Sequence, residues 1–366
     1  MKIVNITGMP AQYTMGLAPD GRESAVVVIK GTFLIPKGEK ETPKLGPPAE
    51  IITADTFTGE PGFSAPLYET DFAAIKPRCD VILNGSAYGP RGAAVERITV
   101  RLSVGGVNKS FDVVGKRVYK GGLMGLSVSP TEKFTVQPIS YNVAFGGTDK
   151  TVTEPAKQKT YLLNHVGIGY HDGGNPQAVV GQSLPHTEET GKPITNPKGS
   201  YRPMAFGSLG RAWQPRAKLA GTYDQKWLDE TFPFLPADYD NRYYQAAPED
   251  QQTEFLCGNE VVDLTNLTPA GRTAFRIPAI ETPVVFLRKD YTRYDTEAVC
   301  DTLIIEPDLC RFMMVWRATC PLKKNMIELE QAVVGPMSPG YFRAREMGKD
   351  YFPSLLQLGR PTGGEA

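Results

Sequence analysis

The clearest periodicity in the chain spans residues 97–104, where Ile98, Val100, Leu102 and Val104 alternate with Arg97, Thr99, Arg101 and Ser103. A period of two puts the apolar set on one face of a strand and the polar set on the other, which predicts a half-buried antiparallel strand. Gly105-Gly106 then supplies a tight turn, and residues 109–114 the return strand of a hairpin. Residues 25–35 follow a different pattern. They are apolar at most positions and rich in β-branched and aromatic residues until Pro36 and Gly38 stop the run, so they read as a strand buried on both faces. Residues 81–88 predict a further strand ended by Gly89-Pro90, and residues 134–139 a late one, while residues 51–77 read as loop.

Strands return at residues 283–288, 302–306 and 311–317, the last two joined by a turn at Pro307-Asp308-Leu309. Residues 326–334 fit either a strand or a short helix. Between the two strand-rich ends, residues 146–250 carry many Gly, Pro, Asn and Tyr residues with little periodicity. Trp213, Tyr223, Trp227, Phe232, Phe234, Tyr239, Tyr243 and Tyr244 lie there, more aromatic area than disordered linkers hold, so this stretch predicts a long, ordered, loop-dominated insertion. The expected fold class is mainly β: antiparallel β-sandwich-like units with a long loop-rich, aromatic-rich central segment. The expected organisation is an N-terminal antiparallel sandwich over 1–150, a loop-rich segment and C-terminal β unit over 151–345 packed on that sandwich, and a C-terminal tail over 346–366, frayed from 359.

Composition supports this reading. Gly 37 and Pro 31 interrupt helices and populate turns. Forty basic residues balance 40 acidic ones, so no global field favours nucleic acid or a membrane surface. The start of the chain lacks the apolar core of a secretory signal, and no apolar run reaches a membrane span, which predicts a cytoplasmic protein. Five scattered cysteines without a Cys-x-x-Cys pair predict reduced structural thiols rather than disulfides or a zinc knuckle.

Candidate chemistry is sparse. The three histidines, His165, His171 and His186, fall in the loop-rich centre, with no Gly-x-Ser-x-Gly elbow to supply a nucleophile and no metal-ligand spacing. Residues 144–149 are Gly-rich but lack a Walker lysine; Asp238-Tyr239-Asp240-Asn241 resembles the opening of a calcium loop without its later ligands. Glu188 with Glu189, or Glu306 with Asp308, would serve glycoside hydrolysis only if they faced each other across a cleft. No catalytic residue, metal ligand or cofactor is assigned. The expected class is a binding protein rather than an enzyme, with Trp213, Trp227, Tyr243 and Tyr244 as candidate partner-binding anchors and the core as their alternative location.

Several ordered segments resemble one family. Asp71-Phe72, Lys76-Pro77 and Asp80-Val81 form a D-F-x(3)-K-P-x(2)-D-V pattern, and residues 141–149 a Y-x(2)-A-F-G-G-x-D element, with Trp213, Arg216, Trp227, Asp238 to Tyr244, Asp301, Pro307-Asp308 and Trp316-Arg317 following in order. Over roughly residues 20 to 335 the chain resembles the domain of unknown function 2169 family, whose members are similar to adaptors of bacterial type VI secretion. The resemblance implies a cytoplasmic chaperone-like protein that binds an effector, often through a PAAR-like domain, and promotes its loading onto the spike protein. His165 after Asn164, and His186, depart from the family pattern. The rival expectations are an uncharacterised, possibly carbohydrate-active enzyme and a structural subunit of the secretion particle.

Overall fold

The computed structural model describes residues 1–18, 20–122, 125–173 and 175–352. The principal strands, in chain order, are β1 (Lys2–Asn5), β2 (Ala11–Leu17), β3 (Glu23–Leu34), β4 (Cys79–Leu83), β5 (Gly85–Tyr88), β6 (Arg97–Val104), β7 (Val107–Val114), β8 (Val136–Ile139) and β9 (Thr187–Glu188). The second half adds β10 (Gln252–Thr253), β11 (Val261–Thr265), β12 (Arg272–Arg276), β13 (Pro283–Arg288), β14 (Arg293–Glu297), β15 (Val299–Glu306), β16 (Arg311–Pro321) and β17 (Leu329–Val334). The fold is mainly β, as the sequence pattern implies.

A six-stranded sheet runs β10-β4-β15-β16-β3-β2, a five-stranded sheet β9-β7-β6-β11-β12, and a four-stranded sheet β1-β17-β13-β14. One hydrophobic core joins all three: Val27, Ile29, Leu303 and Met314 from the first, Val100, Leu102, Phe111 and Phe275 from the second, Phe286 and Ala332 from the third. Phe275 stacks on Phe312 with ring centroids 5.0 Å apart, an aromatic contact between the first two sheets. Each large sheet draws strands from both sides of residue 150. The reason is pairing at long sequence distance, such as the parallel register Leu303 to Val81 and the antiparallel register Leu264 to Leu102.

The predicted hairpin forms with register Ile98 to Val113 and Leu102 to Lys109, and the alternating burial of β6 follows its sequence alternation. β3 lies between β16 and the edge strand β2 and is buried on both faces; Ala25, Val27 and Ile29 enter the main core while Val26 and Val28 pack with Ile51 and Val315 on the other side. One expected element is different. Residues 81–88 do not form one strand: the chain breaks at Asn84, whose Nδ2 donates to Leu67 O, and β5 leaves the large sheet to pair with β8. Residues 326–334 resolve as a 3-10 turn, Met326–Glu328, followed by β17. β1, β2, β11, β12 and β14 carry no strong sequence signature. The frayed end expected for 359–366 lies outside the described residues, which close with a helix at Pro339–Glu346. Among the described residues no helix is long and apolar enough to cross a membrane.

The second face of the six-stranded sheet sets Lys30, Asp80, Thr302 and Arg317, all buried, among apolar side chains such as Val28, Ile304, Met313 and Val315. Segments without regular structure cover it. Lys30 Nζ donates to Asp71 Oδ2 at 2.8 Å, Lys76 Nζ to Asp80 Oδ2 at 2.7 Å and to Thr302 Oγ1 at 2.9 Å, and Arg317 Nη1 to the carbonyls of Asp71 and Ala73. Phe72 packs on Val26 and Val28. The D-F-x(3)-K-P-x(2)-D-V pattern is thus a clamp that fixes the loop of residues 51–78 on the sheet, since buried charges are tolerated only when paired.

Candidate interaction surface

Aromatic residues without strand or helix periodicity, interrupted by Pro233 and Pro236, have no ladder in which to bury their rings. Here residues 219–240 leave the body and return as a lobe. Asp240 N donates to Leu219 O at 3.0 Å, and Asp238 accepts from Thr222 N and Oγ1 at 2.9 and 2.8 Å, closing its base. Inside it a short helix, α1 (Gln225–Glu230), is capped by Asp224, whose side chain accepts from Trp227 N at 2.8 Å. That hydrogen bond satisfies one of the donors a helix start leaves unpaired.

Trp227 is the half-buried hub of the lobe. Its indole N–H donates to Phe234 O at 2.9 Å, Tyr223 meets it edge-on at 4.8 Å and Phe232 at 5.6 Å. Around it Tyr223, Leu228, Phe232 and Phe234 remain 53%, 51%, 62% and 47% exposed. Monomeric proteins rarely leave so much apolar surface together unless it meets a partner.

The lobe stands on a pedestal. Arg216 is buried and spends its donors on Leu209 O (2.9 Å), Tyr243 O (3.2 and 2.6 Å) and Glu69 (2.7 Å). Arg211 joins through Asp55 and Glu69, and both guanidinium groups lie over the Tyr243 ring, at 6.0 and 5.5 Å from its centroid. Burial lowers the Arg211 guanidinium, but the Glu69 and Asp55 carboxylates outweigh this and raise it. Tyr239, Tyr243 and Tyr244 contact one another edge-on at 6.0 to 6.4 Å. Burial, aided by the Tyr244 hydroxyl, pushes the Tyr239 phenol far up. These cation–π contacts and charged hydrogen bonds tie the base of the lobe to the body.

The four anchors expected from sequence therefore separate. Trp213 is 5% exposed and packs edge-on against Tyr141 at 5.3 Å, inside the main core. Tyr243 and Tyr244 are half-buried pedestal residues, and Trp227 is the hub behind the exposed side chains. Tyr223, Leu228, Phe232 and Phe234, none of them among those four anchors, are the exposed side chains of the lobe. The available signal was local: an N-capping Asp, two prolines and dense aromatics without periodicity.

The titratable candidates are engaged elsewhere. Glu188 is buried between Arg97 (2.6 Å) and Arg117 (2.7 Å), Glu306 pairs with Arg311 at 2.6 Å and with the Tyr68 hydroxyl, and Asp308 accepts from Ser86 and Tyr88 at 2.8 Å. Asp240, from the calcium-loop-like stretch, instead makes a turn, accepting from Arg242 N at 2.9 Å. Gly146 and Gly147, at φ +149° and +94°, approach the carbonyls of Asn164 and Gly167; an added Cβ would lie 2.2 Å from each. Asp149 then binds Thr151, Asp172, Gly173 and His171. Burial pushes its carboxyl up, yet the Thr151, Gly173 and His171 hydrogen bonds outweigh this and hold it low. His171 and His165 line a cleft of about 610 Å³. His186 stands apart, its Nδ1 bonded to Gln137 Nε2 at 2.7 Å, and burial with the Lys116 and Arg117 charges lowers its imidazole.

The chain is thus a mainly-β body that carries an exposed aromatic lobe on an ion-paired pedestal. The chain belongs to the bacterial family described as Uncharacterized protein conserved in bacteria (DUF2169), whose model matches residues 20–317. Neither a curated protein nor a solved structure matches it.

Proposed function

We propose that this chain is a cytoplasmic adaptor that holds a type VI secretion effector through the aromatic lobe, the effector presenting a PAAR-like domain, and promotes its loading onto the spike protein. The carrying observation is the group Tyr223, Leu228, Phe232 and Phe234, left exposed on a lobe whose base is fixed by ion pairs. Aromatic anchors with a stiff support lose little entropy on binding and contribute most of the energy of an interface. The resemblance of the family's members to secretion adaptors supplies the client class. The carboxylate pairs considered for carbohydrate chemistry sit in ion pairs and hydrogen bonds, which favours binding over hydrolysis.

The test is the secreted proteome of a strain lacking this chain. The expected result is that one effector disappears from the medium and its cellular level falls, while the spike protein is still secreted and a wild-type copy restores export. An unchanged set of effectors refutes the adaptor reading; loss of the spike protein itself would point instead to a structural subunit.

A further inference from the structure

An edge strand offers unpaired N–H and C=O groups to any further strand unless it is short, charged or covered. Most edges here are protected. β14 carries Arg293, Asp295 and Glu297, β12 carries Arg272 and Arg276, the four-residue β1 carries Lys2, and β9 and β10 have two residues each. β2 differs: its seven residues, Ala-Gln-Tyr-Thr-Met-Gly-Leu, include neither a charge nor a proline, and it forms the outer edge of the six-stranded sheet.

Its register tells which groups face outward. Lys30 N donates to Pro10 O and Ala18 N to Arg22 O, both at 2.9 Å. Alternation along the antiparallel pair then turns Gln12, Thr14 and Gly16 toward β3, and Ala11, Tyr13, Met15 and Leu17 away from it. Among the described residues, no partner takes the outward backbone groups of these four. Tyr13 and Met15 stand opposite Val27 and Ala25, on the core face of the sheet, and both side chains are exposed. They carry apolar surface out to the open edge. At the end of the β2–β3 hairpin, the Phe234 ring packs so closely that a Cβ on Gly21 would lie 2.7 Å from it. The aromatic lobe therefore reaches the turn of the hairpin whose outer strand is the open edge.

We propose that β2 accepts an extended, uncharged segment of the client as an additional strand. The segment pairs with the N–H and C=O groups of Ala11, Tyr13, Met15 and Leu17, and its apolar residues, at alternate positions, pack on Tyr13 and Met15. This rests on the adaptor reading and gives its partner a form: a strand on the edge beside aromatic contacts on the lobe. A second copy of this chain is the competing occupant.

The probe is a phage-displayed library of random ten-residue peptides, panned against the full chain, with enriched peptides titrated against variants. Met15→Pro removes one outward N–H and spares the ladder to β3, because edge strands accept proline on their open side. Met15→Lys keeps the N–H and adds a charge. Enriched peptides are expected to alternate apolar residues and to bind both variants more weakly, Met15→Pro by at least about fivefold, roughly the worth of one net hydrogen bond, while the variants melt with the wild type. If Met15→Pro misfolds, Met15→Lys carries the comparison. Absence of enrichment, equal binding to Met15→Lys, or a chain dimer that Met15→Lys dissolves overturns the proposal. These outcomes leave the secreted-proteome test intact, so loss of the strand site and loss of the adaptor reading are separately visible.

Discussion

Asp80 is the most heavily bonded carboxylate of the clamp, so its removal has a calculable cost. Its oxygens accept from Lys76 Nζ at 2.7 Å, Gln245 Nε2 at 2.6 Å, Ala246 N at 2.8 Å and Ala247 N at 3.2 Å. Asp80→Ala strands the buried Lys76 ammonium, which burial lowers but Asp80, Asp301 and Glu69 together hold raised. Breaking one side of a buried pair costs about 3 to 5 kcal/mol, and each backbone N–H left without a partner adds about 1 to 3 kcal/mol. We therefore expect a loss of at least about 5 kcal/mol by urea denaturation, comparable with the whole stability of a marginal domain. Lys76→Met in the Asp80→Ala background removes the stranded charge and should recover about 1 to 3 kcal/mol. Simple additivity of the two single-variant losses would refute the clamp.

Three further outcomes follow from the same structure. Lys109 is buried against Asp250 and Gln251, and burial, only partly opposed by Asp250, pulls its ammonium down from 10.5 to about 8. Because the unfolded chain holds that proton more tightly, its contribution is fully present above 10.5 and lost as pH falls through 8; relative to Lys109→Met, the wild type should gain about 2 to 3 kcal/mol between pH 8 and 10.5, read from paired urea titrations. The same subtraction removes the loss expected as the phenols of Tyr68 and Tyr88, held up at about 12, ionise in the unfolded chain. Trp213→Ala should cost about 3 to 5 kcal/mol because it empties a core site, whereas Phe232→Ser should stay within about 0.5 kcal/mol as a surface change, both by thermal melting. Thiol labelling of the folded chain should modify Cys257 and Cys310 rapidly and leave Cys79, Cys300 and Cys320, which are buried, until unfolding.

Local patterns were legible where one strand carried its own evidence. The alternation of β6, the double-sided burial of β3 and the turn at Pro307 each depend on near neighbours, and the structure reproduces them. What the sequence concealed depends on residues far apart. The parallel pairing of β4 with β15 spans more than 200 residues, and nothing in Cys79–Leu83 alone specifies that neighbour. Lys109 reads as an ordinary polar position in a hairpin; only Asp250 and Gln251, brought in from the central segment, make its burial possible. Aromatic content pointed to the segment that carries the exposed lobe but did not separate its exposed rings from its buried ones. Trp213 and Phe232 have similar hydrophobic character, and the difference between core and surface is set by Tyr141 packing on one and the closed lobe that carries the other.

Native mass spectrometry of the chain purified from its own cells tests the proposed adaptor role most directly. The expected spectrum shows one copy bound to one effector with a PAAR-like domain, and the same preparation of Phe232→Ser shows the folded chain alone. A wild-type chain recovered free or only as a homo-oligomer, or an effector complex indifferent to Phe232→Ser, would contradict the adaptor function of the aromatic lobe.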